Sequence, residues 1–378
     1  MTVEFDIVVV GAGIAGSSAA AELADNANVL LLDMEAQPGF HATGRSAAFF
    51  APSYGNTIVR GITAVSEHFY RNPPKDFTSV ELIHSRDAVF IARENQLAQL
   101  KEMRKEIPLL SPLSASEACA QVPILDREYV AAGLCDNLGG DLDVDAILQG
   151  YLRLFRNRGG HLLCKQKVEA LHYSSGVWTL KTDGQSITAP ILVNAAGAWA
   201  DVIAELAGAA KLGLQPMKRT AVLIDPNQAK SSEKDIDISQ WPLVVDVDEQ
   251  FYFKPDAGQI LVSPADETPC DPCDAQPNEI DIAIAIDRFE KATSLDIKRV
   301  NHSWSGLRTF APDRNFVVGF DPRLENFFWL AGQGGYGVQT APGLAQLTNS
   351  IITGATLTQD FSPVLNYLNE VTPQRLLN

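Results

Sequence analysis

The stretch Asp6-Ile7-Val8-Val9-Val10-Gly11-Ala12-Gly13-Ile14-Ala15-Gly16-Ser17-Ser18-Ala19-Ala20-Ala21-Glu22-Leu23 decides the fold. Residues 6–10 are the short apolar run of a strand buried on both faces. Gly11, Gly13 and Gly16 make a GxGxxG turn, and residues 17–23 read as a helix. Val29-Leu30-Leu31-Leu32 is a second apolar strand ending on Asp33. Gly11 permits the tight turn, Gly13 lets a pyrophosphate come close to the backbone, and Gly16 lets the helix pack on the strand. The helix N-terminus offers free N–H groups and the positive end of a dipole to phosphates. Asp33, about 20 residues beyond the glycines, is placed to accept hydrogen bonds from ribose hydroxyls, and an acid there disfavours a 2′-phosphate. The glycines alone carry little; strand, turn, helix, second strand and terminal acid in this order mark a dinucleotide site.

A nicotinamide-binding chain would continue directly with further strand–helix units. This one turns to Gln37-Pro38-Gly39-Phe40-His41-Ala42-Thr43-Gly44-Arg45-Ser46-Ala47-Ala48, a small polar loop that opens into a helix-like stretch. Its small residues suit close approach to a flat ring or a pyrophosphate. A helix N-terminus capped by Thr43 or Ser46 fits the same residues.

Farther along, Val144, Ile147, Leu148, Tyr151, Leu152 and Phe155 share one helical face, with Asp143 as N-cap and Gly159-Gly160 as stop. Strand-like runs follow at 161–164, 168–173 and 177–182, then Ile191-Leu192-Val193-Asn194 leads through Ala195-Ala196-Gly197 towards a helix, a late return to the first sheet. Small residues there fit either a nearby cofactor or tight packing. Residues 219–223, 243–246, 250–254 and 259–263 read as strands of a second sheet carrying Arg219, Phe251-Tyr252 and Lys254. Phe327-Phe328-Trp329-Leu330-Ala331 is a buried strand, and Gly332-Gln333-Gly334-Gly335-Tyr336-Gly337 turns into a final helix, a second anion or cofactor site by geometry.

The chain has 378 residues, 46% of them hydrophobic, enough for two to three cores. Its formal net charge of −16 excludes nucleic acid and anionic lipid as partners. No apolar run reaches the ~20 residues that span a bilayer. The N-terminus lacks a basic segment and an apolar signal core, so a cytoplasmic protein without a removable signal is expected. Five cysteines, odd in number, argue against a disulfide framework. Cys270 and Cys273 form a lone CxxC among Pro and Asp, with no second ligand pair for zinc; they read as two thiols in a surface loop, and no metal is expected.

The blocks GAGIAG (11–16), HATGRSAA (41–48), VNAAGAWAD (193–201), LGLQP (212–216), FYFKPDAG (251–258), WSGLR (304–308) and QGGYGVQT (333–340) stand in an order that resembles the D-amino-acid oxidase-like flavoproteins. Glycine oxidase, sarcosine oxidase and the D-amino acid dehydrogenases belong to that family, and these blocks are most similar to those of the bacterial D-arginine dehydrogenases. The resemblance implies an α/β fold. A doubly wound, Rossmann-like FAD domain (1–80, 141–215, 315–378) interleaves with an α+β substrate domain (81–140, 216–314) whose antiparallel sheet roofs the flavin. It implies FAD contacts from Gly11, Gly13, Ile14, Ala15, Gly16, Asp33, Met34, Thr43, Arg45, Ser46, Ala47, Ala48, Val168 and Gly197. Gly306, Gly334, Gly335, Tyr336, Gly337, Val338, Gln339 and Thr340 would lie beside the ring. Arg219 and Arg308 would clamp a substrate carboxylate, and Tyr54, on a mobile loop over residues 51–56, and Tyr252 would line the site with Gly335 and Gln339.

The residue types suit this chemistry. A planar guanidinium grips a carboxylate through two parallel hydrogen bonds and so fixes the neighbouring Cα–H. Positioning then supplies much of the rate, because a neutral amine already drives hydride departure. From bare sequence Arg219 fits a surface ion pair as well as a clamp, whereas Arg308 stands in an apolar stretch. The expected reaction is oxidative deamination of D-amino acids, through an imino acid to a 2-oxo acid and ammonia, with a quinone or oxygen as acceptor. No cysteine stands at the position through which sarcosine oxidase attaches its flavin, where Gly306 is nearest, so non-covalent FAD is expected. Two departures bear on the substrate. Ala88 stands where D-arginine dehydrogenase has the Glu that grips its substrate's guanidinium, and Phe49 replaces an active-site His. Neutral or apolar side chains are therefore expected, unless Glu81, Asp87 or Asp246 supplies the missing acid. A D-arginine or D-lysine dehydrogenase, a glycine- or sarcosine-type amine oxidase and a flavin-binding redox carrier are the alternatives.

Overall fold

A computed structural model describes residues 2–228 and 236–377. Its centre is a six-stranded sheet ordered His161–Leu163, Val29–Leu32, Ile7–Val10, Ile191–Asn194, Phe327–Ala331 and Val317–Phe320. Every neighbouring pair is parallel except the last. Alternate side chains leave opposite faces of a strand, and here both faces are covered. Ile7, Val9 and Leu31 pack with the helices Ile14–Leu23, Val144–Asn157 and Gly337–Thr353. Val8, Val10, Leu30 and Leu32 pack instead with Trp178, Leu180 and Ile187 of a smaller sheet. That small sheet joins the hairpins of Ala170–Ser174, Val177–Thr182 and Gln185–Ala189 to Thr2–Glu4. Burial on both faces explains why the central strands are continuously apolar rather than alternating.

A nine-stranded sheet stands over this layer. Its strands include Ala88–Ala92, Gln215–Ile224, Leu243–Asp246, Tyr252–Asp256, Gln259–Ser263 and Val300–Phe310. It is antiparallel apart from one parallel pair, in which Leu243 faces Ala88 and Val245 faces Phe90. One face carries Val89, Ile91, Val222, Val244, Phe253 and Val262 into a second core closed by Ala285 and Phe289 of the helix Glu279–Ala292. The period of two therefore commits Ala88, Phe90, Arg219, Leu243, Val245, Tyr252 and Lys254 to the other face, towards the six-stranded layer. A three-stranded sheet of Phe49–Phe50, Gly140–Leu142 and Ile83–Ser85 closes the gap between the two.

One sequence expectation fails here. Residues 41–48 form no helix: they run as turns and then, past Ala48 at φ 21°, enter the strand Phe49–Phe50. Thr43 does cap a helix, but a distant one, since its Oγ1 accepts the backbone N–H of Ile14 at 2.9 Å. Among the described residues, no helix is long and apolar enough to cross a membrane.

Candidate active site

The larger of two adjoining cavities, about 610 Å³, lies between the six-stranded and nine-stranded sheets. The GxGxxG turn forms one end. Gly11 has φ 104°, and a Cβ there would stand 2.4 Å from the Ala195 carbonyl oxygen; a Cβ on Gly16 would stand 1.8 Å from that of Gly11. The helix Ile14–Leu23 starts at Gly13, which has no side chain to cap it, so Thr43 takes only Ile14 N–H, and no acid stands in its first turn. The helix Gly337–Thr353 begins at Tyr336 with no side-chain cap and no acid in its first turn. Two positive helix ends thus reach one cavity without a carboxylate of their own, which suits an anionic ligand. Asp33 marks another edge: its Oδ2 accepts Ala12 N–H at 2.7 Å and its Oδ1 accepts Glu35 N–H at 2.8 Å. Burial raises its pKa, with these N–H groups opposing, and each oxygen keeps acceptor capacity for hydroxyls. Among the described residues, Gln333 Nε2 and Thr309 Oγ1 are buried without a protein partner, and both residues line the cavity. A buried polar atom without a partner is costly, so these two fit a ligand that satisfies them.

Most of the expected cofactor residues meet here. Gly11, Gly13, Ile14, Ala15, Asp33, Met34, Thr43, Arg45, Ser46, Ala47, Val168 and Gly197 line this cavity, as do Gly306, Gly334, Gly335, Gly337 and Val338. Others do not. Gly16 lies behind the turn, where it keeps helix and strand in contact. Ala48 and Gln339 line the smaller cavity instead. Tyr336 packs its ring against Tyr54, Phe310 and Phe316. Thr340 is buried, its Oγ1 donating to the Tyr336 carbonyl at 2.8 Å. Gln339 is already occupied at both ends of its amide: Oε1 accepts Ala51 N–H at 3.2 Å and Nε2 donates to Thr63 Oγ1 at 2.8 Å.

Arg219, Tyr252, Arg308 and Gly335 line both cavities, and Tyr54 lines the smaller one. The strands bring the two arginines together. Arg219 is opposite Gly306 and Arg308 is opposite Met217, so they are diagonal neighbours on one face. Their surroundings differ. Arg219 donates to the Asp266 carbonyl at 2.9 Å and pairs with Glu267 at 3.2 Å. Among the described residues, the Arg308 guanidinium makes no hydrogen bond or ion pair with a protein acceptor. Burial disfavours its charge, but Tyr252, Tyr54, Tyr336 and Glu249 outweigh that and hold it protonated. Burial pushes the Tyr252 phenol up, yet Arg308 and Arg219 outweigh it and set its pKa below the ordinary value. Tyr54 goes the other way: burial raises it despite Arg308. The loop carrying Tyr54 is pinned by Ser53 N–H on Asp136 at 3.1 Å, and its end, Asn56, caps the helix Thr57–Arg71.

The smaller cavity has an apolar wall of Ala48, Phe49, Ala51, Ala88, Phe90, Leu243 and Val245. Lys254 also lines it, but its Nζ pairs with Asp141 at 2.6 Å, so its charge is balanced within the wall. Of the acids weighed from sequence, Glu81, Asp87 and Asp246 do not line it; Asp246 is buried and accepts from Gln96 and from the backbone of Asp248. Glu249, at φ 53° in the turn before Tyr252, is the acid that does. Nothing in its sequence surroundings singles it out. Cys273 is the other surprise: its loop is where the sequence places it, yet the residue reaches the wall of the larger cavity.

This chain belongs to the DAO family of FAD dependent oxidoreductases, whose sequence model matches residues 6–351. FAD is its cofactor, and the glycine turns, the two helix N-termini, Asp33 and the unpartnered Gln333 and Thr309 are the groups that fit it. FAD-dependent oxidoreductase domain-containing protein 1 of Bos taurus is 26% identical, covering 95% of this chain and 84% of that protein. Among solved structures, glycine oxidase from Geobacillus kaustophilus superposes with a TM-score of 0.82 at 19% identity, covering 95% of this chain and 97% of that one. L-proline dehydrogenase from P. horikoshii gives 0.80 at 22% identity, covering 96% of each. At these identities the structural likeness establishes the shared fold.

Proposed function

We propose that this chain oxidises D-amino acids with neutral or apolar side chains, releasing 2-oxo acids and ammonia and passing the electrons on to a quinone-type acceptor or to oxygen. The observation that carries the reading is Arg308, a guanidinium unpaired among the described residues, at the junction of the FAD cavity and an apolar cavity. Such a group calls for a carboxylate. Arg219, half satisfied by Asp266 and Glu267, would complete the grip. Bound FAD supplies the two-electron acceptor. The chain's residues hold the carboxylate, point Cα towards the larger cavity and seat the side chain against Phe49, Ala88, Phe90, Leu243 and Val245. Two structural neighbours are named for amino acids, glycine and L-proline, which supports the substrate class. The D configuration rests on the sequence blocks shared with the D-arginine dehydrogenases.

An apolar side chain gains about 25 cal/mol for each Å² it buries. A guanidinium or ammonium in the same place loses hydration worth several kcal/mol unless an acid meets it. Glu249 at the rim favours a second reading, a D-arginine or D-lysine dehydrogenase. Anaerobic bleaching of the flavin by a panel of amino acids separates the two. D-Met, D-Leu and D-Phe should reduce faster than D-Arg, L-enantiomers should be inert, and Ala88→Glu should raise D-Arg at their expense. Fastest reduction by D-Arg, lost in Glu249→Gln, would establish the second reading instead.

A further inference from the structure

Cys270 and Cys273 stand in the sequence Thr268-Pro269-Cys270-Asp271-Pro272-Cys273-Asp274, and their Sγ atoms are 3.6 Å apart. The other three cysteines are separate from them; Cys119 and Cys135 are buried and Cys164 is half-buried. The loop is anchored at its start, where Thr268–Pro269 pairs with the strand Gln215–Ile224 and Cys270 N–H donates to the Pro216 carbonyl at 3.0 Å. Just past Cys273 it fastens Arg45. Asp274 Oδ1 pairs with Arg45 Nη2 at 2.5 Å, and the Ala275 carbonyl accepts from Nη1 at 2.9 Å. Arg45 is a wall of the FAD cavity, and its backbone carbonyl in turn accepts Trp304 Nε1–H at 3.0 Å. The thiol pair, the Arg45 clasp and the cavity wall thus form one continuous piece of structure.

We propose that Cys270 and Cys273 are a reversible dithiol–disulfide pair whose closure locks the loop that clasps Arg45 and slows release of FAD. The chemistry is exchange with a small-molecule disulfide, RSSR. The Cys273 thiolate attacks one sulfur and expels RS⁻. The Cys270 thiolate then attacks Cys273 Sγ in the mixed disulfide, forms the internal S–S bond and expels the second RS⁻. Two protein thiols are oxidised, one external disulfide is reduced to two thiols, and the two thiol protons end on the two leaving groups. A disulfide needs about 2.05 Å between sulfurs, so from 3.6 Å each Sγ has slightly less than an ångström to travel, and Asp274 can keep its grip. Closing the small ring removes conformational freedom from the loop, which favours the state in which Arg45 stays clasped. Partial burial, Cys270 and the carboxylates of Asp274 and Asp271 raise the pKa of the Cys273 thiol. Cys273 therefore gains no stabilised thiolate, which favours the disulfide over the reduced form.

The test uses the FAD-loaded protein, first reduced and freed of reductant, then exposed to glutathione disulfide. Peptide mapping should find Cys270 and Cys273 joined with loss of two hydrogens. Flavin release, followed by its fluorescence after dilution without substrate, should be several-fold slower than from the reduced protein and should recover with dithiothreitol. Cys270→Ser should turn over normally and show no slowing. Free thiols at 270 and 273 after exposure would overturn the proposal, as would an internal disulfide with release unchanged or faster. Neither readout involves substrate, so both stand apart from the reading of the amino-acid site.

Discussion

Gly335 has no side chain, and the Arg308 guanidinium uses the space: a Cβ would stand 2.8 Å from Nη1. The charge that would meet the substrate is thus held by an absence as much as by a contact. Arg308→Met should cost roughly 3–5 kcal/mol in kcat/KM with FAD content unchanged, as for a stranded buried charge. Gly335→Ala should push the guanidinium aside and lose on the order of tenfold in kcat/KM, again without loss of FAD. Arg219→Met should cost less than Arg308→Met, because Arg219 is partly committed to Glu267; equal losses would mean that this pairing yields when substrate binds. Tyr252 gives the pH dependence. Its pKa is lowered by the two arginines, so as pH rises it becomes an anion earlier than a free tyrosine would. That anion would compete with a substrate carboxylate for Arg308. kcat/KM should fall on the alkaline side below the usual tyrosine value of about 10, and Tyr252→Phe should move that fall to higher pH. A profile identical in Tyr252→Phe would assign the limb to another group.

Elements were readable where the forces that make them are local. The strands 29–32, 177–182, 243–246, 259–263 and 327–331 lie where the sequence pattern puts them, because continuous or alternating apolar runs register their own burial. Residues 41–48 look helical by their small residues and are not, because Thr43 is committed to a helix 29 residues away in the chain. Trp304 to Arg308 gave a motif without an element; the strand is Val300–Phe310, with Gly306 inside it opposite Arg219. Glu249 and Cys273 were illegible as site residues because turn geometry, not periodicity, aims them. The element on which cofactor binding would turn is the helix Ile14–Leu23. Gly16→Ala places a methyl 1.8 Å from the Gly11 carbonyl, backbone against backbone, with no flexible side chain to yield. The turn must open and withdraw its N–H groups, so the purified variant should contain little or no flavin while Gly176→Ala, strained at φ 83° but in open space and outside the cavity lining, keeps its full complement.

At the scale of the molecule, the chain crosses between its two main sheets repeatedly, and the last strand of the six-stranded sheet to be made, Phe327–Ala331, inserts beside Ile191–Asn194 after the nine-stranded sheet is complete. Neither sheet closes on a continuous piece of sequence. The larger cavity takes its lining from both: Gly11 and Asp33 from one, Arg219, Gly306 and Arg308 from the other. A ligand that binds only the folded state stabilises it by mass action, about 2.7 kcal/mol at a free concentration of ~100 Kd. Because both sheets line the larger cavity, FAD bound there would share that stabilisation between them, and the two should melt together. Calorimetry of the FAD-loaded protein should give one transition, coincident with the rise in flavin fluorescence on release. Protein stripped of FAD should melt at lower temperature, recovering as FAD is added back. Acid precipitation should leave a colourless pellet and a yellow supernatant, since no bond would tie the flavin to the chain. Two transitions, with flavin leaving at the first, would mean that the cofactor is held by one of the two layers alone.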